Sequence, residues 1–344
     1  MNDTDVFEDD ENNKEIDSLL ITIETVEVMS RYYVPILLCL SLLGNSLSVY
    51  MFLCTKLRYS SSSIYLGALA ISDIGFLVTL VEYLPRPIKK IIEDEYEYDI
   101  VIIYITSSRM LFAFLSVWIV VAFTVQRYIA IKWPLLRRSV CTVKRAKIVA
   151  IGLAGLAVSY SIPWFTMNAI YWLHDENELT NYNYWWWILN TINTIITFVL
   201  PATVIAILNA LIMYNIRKHN RIRKNLILSS AASNRKTQSL DGETSHIKVT
   251  KMLVIISSIF ICLNTPYLIF RQFIPLDEIQ EVGDDKLLYP LFFISKLLWL
   301  TNYGINFFLY CAIGKNFRRE LLRIFMKRSD SRRNKDLEMK NNEK

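Results

Sequence analysis

No cysteine falls in a loop predicted to face outward. Cys39, Cys54, Cys262 and Cys311 lie within or at the ends of apolar blocks, and Cys141 sits in a basic loop. That excludes an outer disulfide and any disulfide-stapled extracellular fold. Histidine is nearly absent, and His174, His219 and His246 are scattered without metal-ligand spacing. No nucleophile–base or metal constellation is visible, so the sequence does not read as an enzyme. Glycine and proline number nine each among 344 residues. Such scarcity argues for helices over a transmembrane barrel, whose strands would also alternate in polarity. Charge is sparse as well: 20% of residues are Asp, Glu, Lys or Arg, against 53% hydrophobic. A water-soluble protein of this length needs more polar surface than that.

What is present is a series of long apolar blocks, at roughly 32–54, 64–84, 101–131, 146–173, 185–216, 249–273 and 287–312. Each is long enough for the roughly 30 Å hydrocarbon core of a bilayer. The loops between them alternate in charge. Lys56, Arg58, Arg137, Arg138, Lys144, Arg145, Arg217, Lys218, Arg221 and the tail beyond Lys327 are basic on one side. The acidic N-terminal tail, Glu93-Asp94-Glu95, Asp175, Glu176, Asp277, Glu278, Asp284 and Asp285 lie on the other. Positive charge marks the cytoplasmic face, so the N-terminus is expected outside and the C-terminus inside, in the plasma membrane. The same distribution explains the net charge of +6 without nucleic acid as a partner.

The expected organisation is an acidic extracellular tail (1–31), an all-α bundle of seven transmembrane helices (32–312), a short amphipathic helix on the inner leaflet (313–326) and a basic cytoplasmic tail (327–344). In the amphipathic segment Phe317, Leu321, Leu322, Ile324 and Phe325 share one broad face opposite arginines. Between the fifth and sixth spans, Ser229, Ser230, Ser233, Ser239 and Ser245 among basic residues read as a flexible, phosphorylatable loop. Asn2-Asp3-Thr4 has the form of a glycosylation sequon.

Polar groups in hydrocarbon are costly and turn inward, so they mark function. Asn45, Asp73, Ser116, Asn302 and Asn306 are such groups. In the third span Arg109, Ser116 and Arg127 are separated by seven and eleven residues, which puts them on one helical face. Eighteen residues at about 1.5 Å each separate the two arginines by roughly 27 Å. One therefore belongs to an outer cavity and the other to an inner one. Pro163, Pro201, Pro266 and Pro290 are expected to kink spans four to seven. Arg109, Asn193, Tyr267, Arg271 and Lys296 are expected to bound the outer cavity. Its three cations suit a ligand with a carboxylate or acidic side chains. Glu82 could neutralise one of them, but nine residues from Asp73 it falls on the opposite face of a regular helix.

These residues resemble the signatures of the rhodopsin-like G-protein-coupled receptors, above all the invertebrate FMRFamide-type neuropeptide receptors. The motifs are Gly44-Asn45, the run Leu69 to Asp73, the region Gln126-Arg127-Tyr128 with Pro134, the prolines Pro201 and Pro266, and Asn302 through Tyr310 followed by Gly314 to Arg318. The resemblance covers about residues 30 to 326 and implies a receptor passing binding of a small peptide to a heterotrimeric G protein. Gln126, Arg127, Tyr128, Asn306 and Tyr310 would then serve coupling. Asp73, Ser116, Asn302 and Asn306 would line a pocket able to hold sodium, with no other metal expected.

The departures matter equally. Gln126 stands where the family has an acid, so Arg127 lacks its charged restraint, and raised basal activity is expected. Ile102 replaces the cysteine of the usual outer disulfide, leaving Trp172, Trp185, Trp186 and Trp187 to hold that end by packing. Asn264 stands where span six often carries tryptophan. Leu300 occupies the opsin lysine's place, with Lys296 one turn away, so no retinal cofactor is expected. Arg109 stands where an amine receptor would have a carboxylate. Two other classes remain: a non-coupling decoy or scavenger of the same fold, and a transporter or channel. The latter would show repeats or broken half-helices, and none is seen.

Overall fold

A computed structural model describes Val28 and residues 31–80, 98–173, 182–229, 237–273, 288–324 and 326. The acidic tail, Glu82, the acidic outer loops, Ser230, Ser233 and the basic C-terminal tail lie outside these residues. Among the described residues every regular element is a helix. The membrane-length helices are α1 (Arg31–Cys54), α2 (Ser61–Val78), α3 (Tyr98–Lys132) and α4 (Val143–Leu173). They continue with α5 (Tyr182–Thr194, Ile195–Val199 and Leu200–Ser229), α6 (Thr237–Phe273) and α7 (Leu288–Ile313). After α7 the chain turns by 90° at Gly314 into α8, Lys315–Ile324. The first six helices are each apolar and long enough to cross a bilayer, and α7 with α8 forms a seventh, bent unit.

The bundle is organised around α3, which packs against α2, α4, α5 and α6, while α7 closes on α6 and α2. Its sequence explains that position: α3 turns Val117, Ile119, Val120, Val121 and Phe123 into the core, all nearly inaccessible. By contrast, only 11% of the apolar window of α4 is buried, so α4 presents most of its surface to lipid. Small residues let neighbouring helices approach. A Cβ added to Gly75 on α2 would meet the Phe112 ring of α3 at 2.3 Å, and one added to Gly304 on α7 would meet Ser41 Oγ of α1 at 1.9 Å.

Two prolines sit inside helices as expected, Pro163 in α4 and Pro266 in α6. Pro201 follows the π-turn Ile195–Val199, where the widened turn accommodates the backbone before the ring that cannot donate. Pro290 lies in the first turn of α7, where the lost N–H matters little.

The serine-rich segment differs from its reading as a flexible loop. Helix α5 runs to Ser229 and α6 begins at Thr237, so Ser239 and Ser245 are helical. Lys, Arg and Gln propagate a helix well once it has left the bilayer, and the hydropathy boundary is not the helix boundary. The tryptophan reading divides too. Trp186 packs edge-on against buried Trp164 at 5.4 Å, whereas Trp185 and Trp187 are more than half exposed. The Trp172 side chain lies outside the described set.

Candidate receptor core

The polar residues of the spans form three layers along α3. The middle layer centres on Asp73, which is fully buried. Ser116 Oγ donates to its Oδ1 at 2.7 Å and Asn306 Nδ2 donates to its Oδ2 at 2.8 Å, tying α2, α3 and α7 at one point. Asn302, one turn earlier on α7, is buried but hydrogen-bonds to neither oxygen. Asn45 Nδ2 instead reaches α7 by donating to the Tyr303 carbonyl at 2.8 Å. A buried carboxylate needs donors or a cation, and the two donors here are the minimum that lets both oxygens be satisfied.

Above this node an aromatic stack closes the layer. The Tyr303 ring lies flat on Phe76 at 3.6 Å, Trp299 meets Phe76 edge-on at 5.2 Å, and Tyr267 stacks on Trp299 at 4.8 Å. The sequence reading did not single out Phe76, Trp299 or Tyr303. Their only signal is aromatic spacing of four residues on α7, common in any apolar helix. On α6 Asn264 is buried and donates to the Phe260 carbonyl of its own helix at 2.6 Å. The tryptophan beside the core therefore comes from α7.

The outer layer is a narrow cavity of about 50 Å³ lined by Arg109, Asn193 and Arg271, with Trp299 and Tyr303 at its base. Apart from Arg109 Nε, which is buried without a hydrogen-bond acceptor, its main polar groups are engaged within the chain. Arg109 Nη2 donates to the Thr79 carbonyl at 2.7 Å, at the carboxyl end of α2 where a cation is favoured. Tyr160 Oη donates to Asn193 Oδ1 at 2.6 Å, and Arg271 Nη2 donates to Asn190 Oδ1. Tyr267 and Lys296 are not on this wall. Tyr267 is turned into the aromatic stack and Lys296 is half-buried on α7. Their helices are apolar on every face, and sequence alone does not fix the rotation. Leu300 is buried in the core, one turn from Lys296.

The inner layer is larger. A cavity of about 680 Å³ opens between the ends of α2, α3 and α6 and the α7–α8 turn. Gln126, Arg127, Arg137, Cys141 and Lys315 are on its wall. Arg127 is 9% exposed, and its guanidinium lies 5.8 Å from the Phe123 ring. No carboxylate among the described residues pairs with it, and its Nε has no acceptor. The Gln126 side chain is equally buried, with Oε1 unmatched. Tyr128 does not share this wall; its ring meets Trp133 edge-on at 5.8 Å. The Cys141 Sγ–H donates to the Gln126 carbonyl at 3.7 Å. Burial pushes the Cys141 thiol up, while the charges of Arg127 and Arg137 pull it back. Tyr310 is fully buried against Phe52 and Phe317, with its hydroxyl unmatched.

Comparison with known proteins agrees with this architecture. The family model described as 7 transmembrane receptor (rhodopsin family) matches residues 44–310. The FMRFamide receptor of Drosophila melanogaster is 29% identical over 241 residues, which is 64% of this chain and 39% of that protein. Sex peptide receptor-related protein 2 of Caenorhabditis elegans is 26% identical over 244 residues, 62% of this chain and 52% of its own length. The thyrotropin-releasing hormone receptor of Gallus gallus is 25% identical over 318 residues, covering 85% and 78%. The chain thus spans about half or less of the first two relatives.

Proposed function

Because the chain belongs to the rhodopsin family of seven-transmembrane receptors, a multi-pass membrane family that is not enzymatic, we propose that it relays an extracellular peptide to a heterotrimeric G protein. The peptide would enter at the outer cavity, through Arg109, Asn193 and Arg271, with Tyr267 and Lys296 contributing from beyond its wall. A carboxylate or acidic side chain on the ligand would replace Asn190 or Thr79 as the arginines' acceptor. Relatives named for FMRFamide, sex peptide and thyrotropin-releasing hormone support a peptide over an amine. The absence of a lysine at position 300 leaves the proposal without a retinal or other cofactor.

The observation that carries the reading is the stacking of three polar layers on α3, from Arg109 through Ser116 to Arg127. A ligand that disturbs the outer hydrogen bonds shifts the aromatic stack on α7, and with it Asn306 and Tyr310. The G protein would enter the inner cavity beside Arg127 as α6 moves away. The N-terminus lies outside and the C-terminus inside the plasma membrane in this proposal, following the basic loops. Asp73 with Ser116 and Asn306 would accept a sodium ion in the resting receptor, with Asn302 near enough in sequence to join it.

The test is G-protein activation in cells with confirmed surface expression, comparing the chain with Arg127→Ala under extracts of small amidated peptides. Loss of evoked or basal signal on removing Arg127 supports coupling. The second reading, a binding protein that does not couple, is favoured by the unmatched Gln126. It predicts surface protein that binds peptide with no Arg127-dependent signal for any G-protein class.

A further inference from the structure

The inner cavity is lined with charge of one sign. Arg127, Arg137 and Lys315 stand on its wall, and among the described residues no Asp or Glu does. Its opposite side is the start of α2, from Ser60 to Ser63. Ser60 occupies the N-cap position of that 18-residue helix, yet its side chain makes no capping hydrogen bond. The Ser63 N–H is taken by the Ser60 carbonyl at 3.0 Å, which leaves the Ser61 and Ser62 amides and the positive end of the dipole at the cavity, an arrangement that favours an anion. Independently, Arg127 is nine-tenths buried on the same wall with Nε lacking an acceptor. Water filling the space would satisfy N–H groups but leave the charge uncompensated, and a buried charge without a counterion is costly. The adjacent residue that could supply one is Gln126, which is neutral and itself unmatched. At about 680 Å³ the space falls in the ordinary range for a small-molecule site.

We propose that this cavity binds a phosphate-class anion, held between the Arg127 guanidinium and the N-terminus of α2, which serves as the counterion that Gln126 does not provide. Lys315, at the α7–α8 turn, screens the same group from the rim. Phosphate suits the donors better than a halide. The Ser61 and Ser62 amides, the serine hydroxyls of this turn and a forked guanidinium belong to residues on one wall, and a tetrahedral phosphate dianion offers acceptors to several of them at once. Occupancy holds the inner end in its resting arrangement and opposes entry of any helix of a partner. That regulatory consequence rests on the coupling proposed above; the binding itself does not. Two sources share this chemistry, a soluble inositol phosphate and the headgroup of a phosphoinositide in the inner leaflet.

The experiment reads binding without a G protein, so failure of coupling and failure of the anion site are distinguishable. The purified full chain is placed in phosphatidylcholine nanodiscs, and its apparent unfolding temperature is followed against inositol trisphosphate at constant ionic strength. Parallel discs contain phosphatidylinositol bisphosphate, or phosphatidylserine at matched charge. The expected result is a saturable rise of about 2–4 °C, abolished in Gln126→Glu, which supplies the carboxylate internally, and reduced in Lys315→Gln, an exposed position that leaves the core untouched. A rise with the soluble trisphosphate identifies a free anion as sufficient; a rise only in bisphosphate discs identifies the lipid headgroup. No saturable rise in either, a rise equalled by phosphatidylserine, or an undiminished rise in both variants overturns the proposal.

Discussion

The two ends of α3 carry one arginine each, and the surroundings treat them differently. Around Arg109 the polar side chains are engaged with one another or with backbone: the guanidinium holds the end of α2, Tyr160 holds Asn193, and Arg271 holds Asn190. Around Arg127 the matching groups are missing. Its own Nε, the Gln126 amide oxygen and the Tyr310 hydroxyl are all buried and unmatched. Buried polar atoms without partners each cost about 1–3 kcal/mol, so the inner end holds free energy that a partner or a rearrangement would release. At the outer end Arg109 Nε is such an atom, against three at the inner end. The outer end therefore holds less of that free energy, and a ligand there mostly exchanges hydrogen bonds that are already made. A receptor built this way is restrained from outside and poised at the inside.

Between the two ends stands Asp73, and removing it should have the largest effect. In Asp73→Ala, Ser116 and Asn306 both lose their acceptor inside the bundle. Two stranded donors at about 1–3 kcal/mol each give a loss of about 2–6 kcal/mol, read as a fall in apparent unfolding temperature and in surface yield. Asp73→Asn keeps an acceptor and should lose less than half as much. Equal losses in both variants would show that the ionic charge, and not the hydrogen-bond geometry, organises this layer.

The inner end is tested next by Gln126→Glu. A carboxylate beside Arg127 replaces an unmatched amide with a charge-assisted pair, worth about 1.5–3 kcal/mol where hydrogen bonds to charged groups are formed. Basal G-protein activation should fall by about tenfold while peptide affinity stays within about threefold, a 1.4 kcal/mol step per decade. Unchanged basal signalling would remove the poised inner end from the comparison.

How much of this was legible from sequence follows the same physics. The seven spans and Lys315–Ile324 were readable because hydrocarbon tolerates little else. Asp73, Ser116 and Asn306 were readable because a polar group in a span needs a partner. Arg109 and Arg127 were readable because 3.6 residues per turn fixes a shared face along one unbroken helix. What escaped is what depends on rotation between helices. Tyr267 and Lys296, expected on the cavity wall, stand off it, because an apolar helix carries no face signal. Trp299 and Phe76 carry no distinguishing signal in the sequence because aromatics are ordinary in spans, and only their stacking singles them out. The extension of α5 and α6 beyond the bilayer was hidden because charged residues end a hydropathy block without ending a helix.

The smallest change gives the sharpest form of the comparison, because one atom is removed at each end. Tyr160→Phe deletes a hydroxyl that donates to Asn193 at 2.6 Å. Asn193 Oδ1 keeps only the Thr197 hydroxyl at 3.5 Å, at the limit of a hydrogen bond. The net loss is therefore about 0.5–1.5 kcal/mol, with a matching fall in apparent unfolding temperature and no change in basal signalling. Tyr310→Phe deletes a hydroxyl that is buried with no partner. Its ring still fills the space against Phe52 and Phe317, so packing is retained. Stability should hold or rise, since the phenyl ring carries no polar group to strand, while evoked signalling falls because the active arrangement loses a group that only it can satisfy. Two identical substitutions thus differ in their effect on stability: the outer one lowers it and the inner one does not. A fall of the same size in both would mean that the Tyr310 hydroxyl is already matched in the resting receptor, and that the inner end is as fully restrained as the outer.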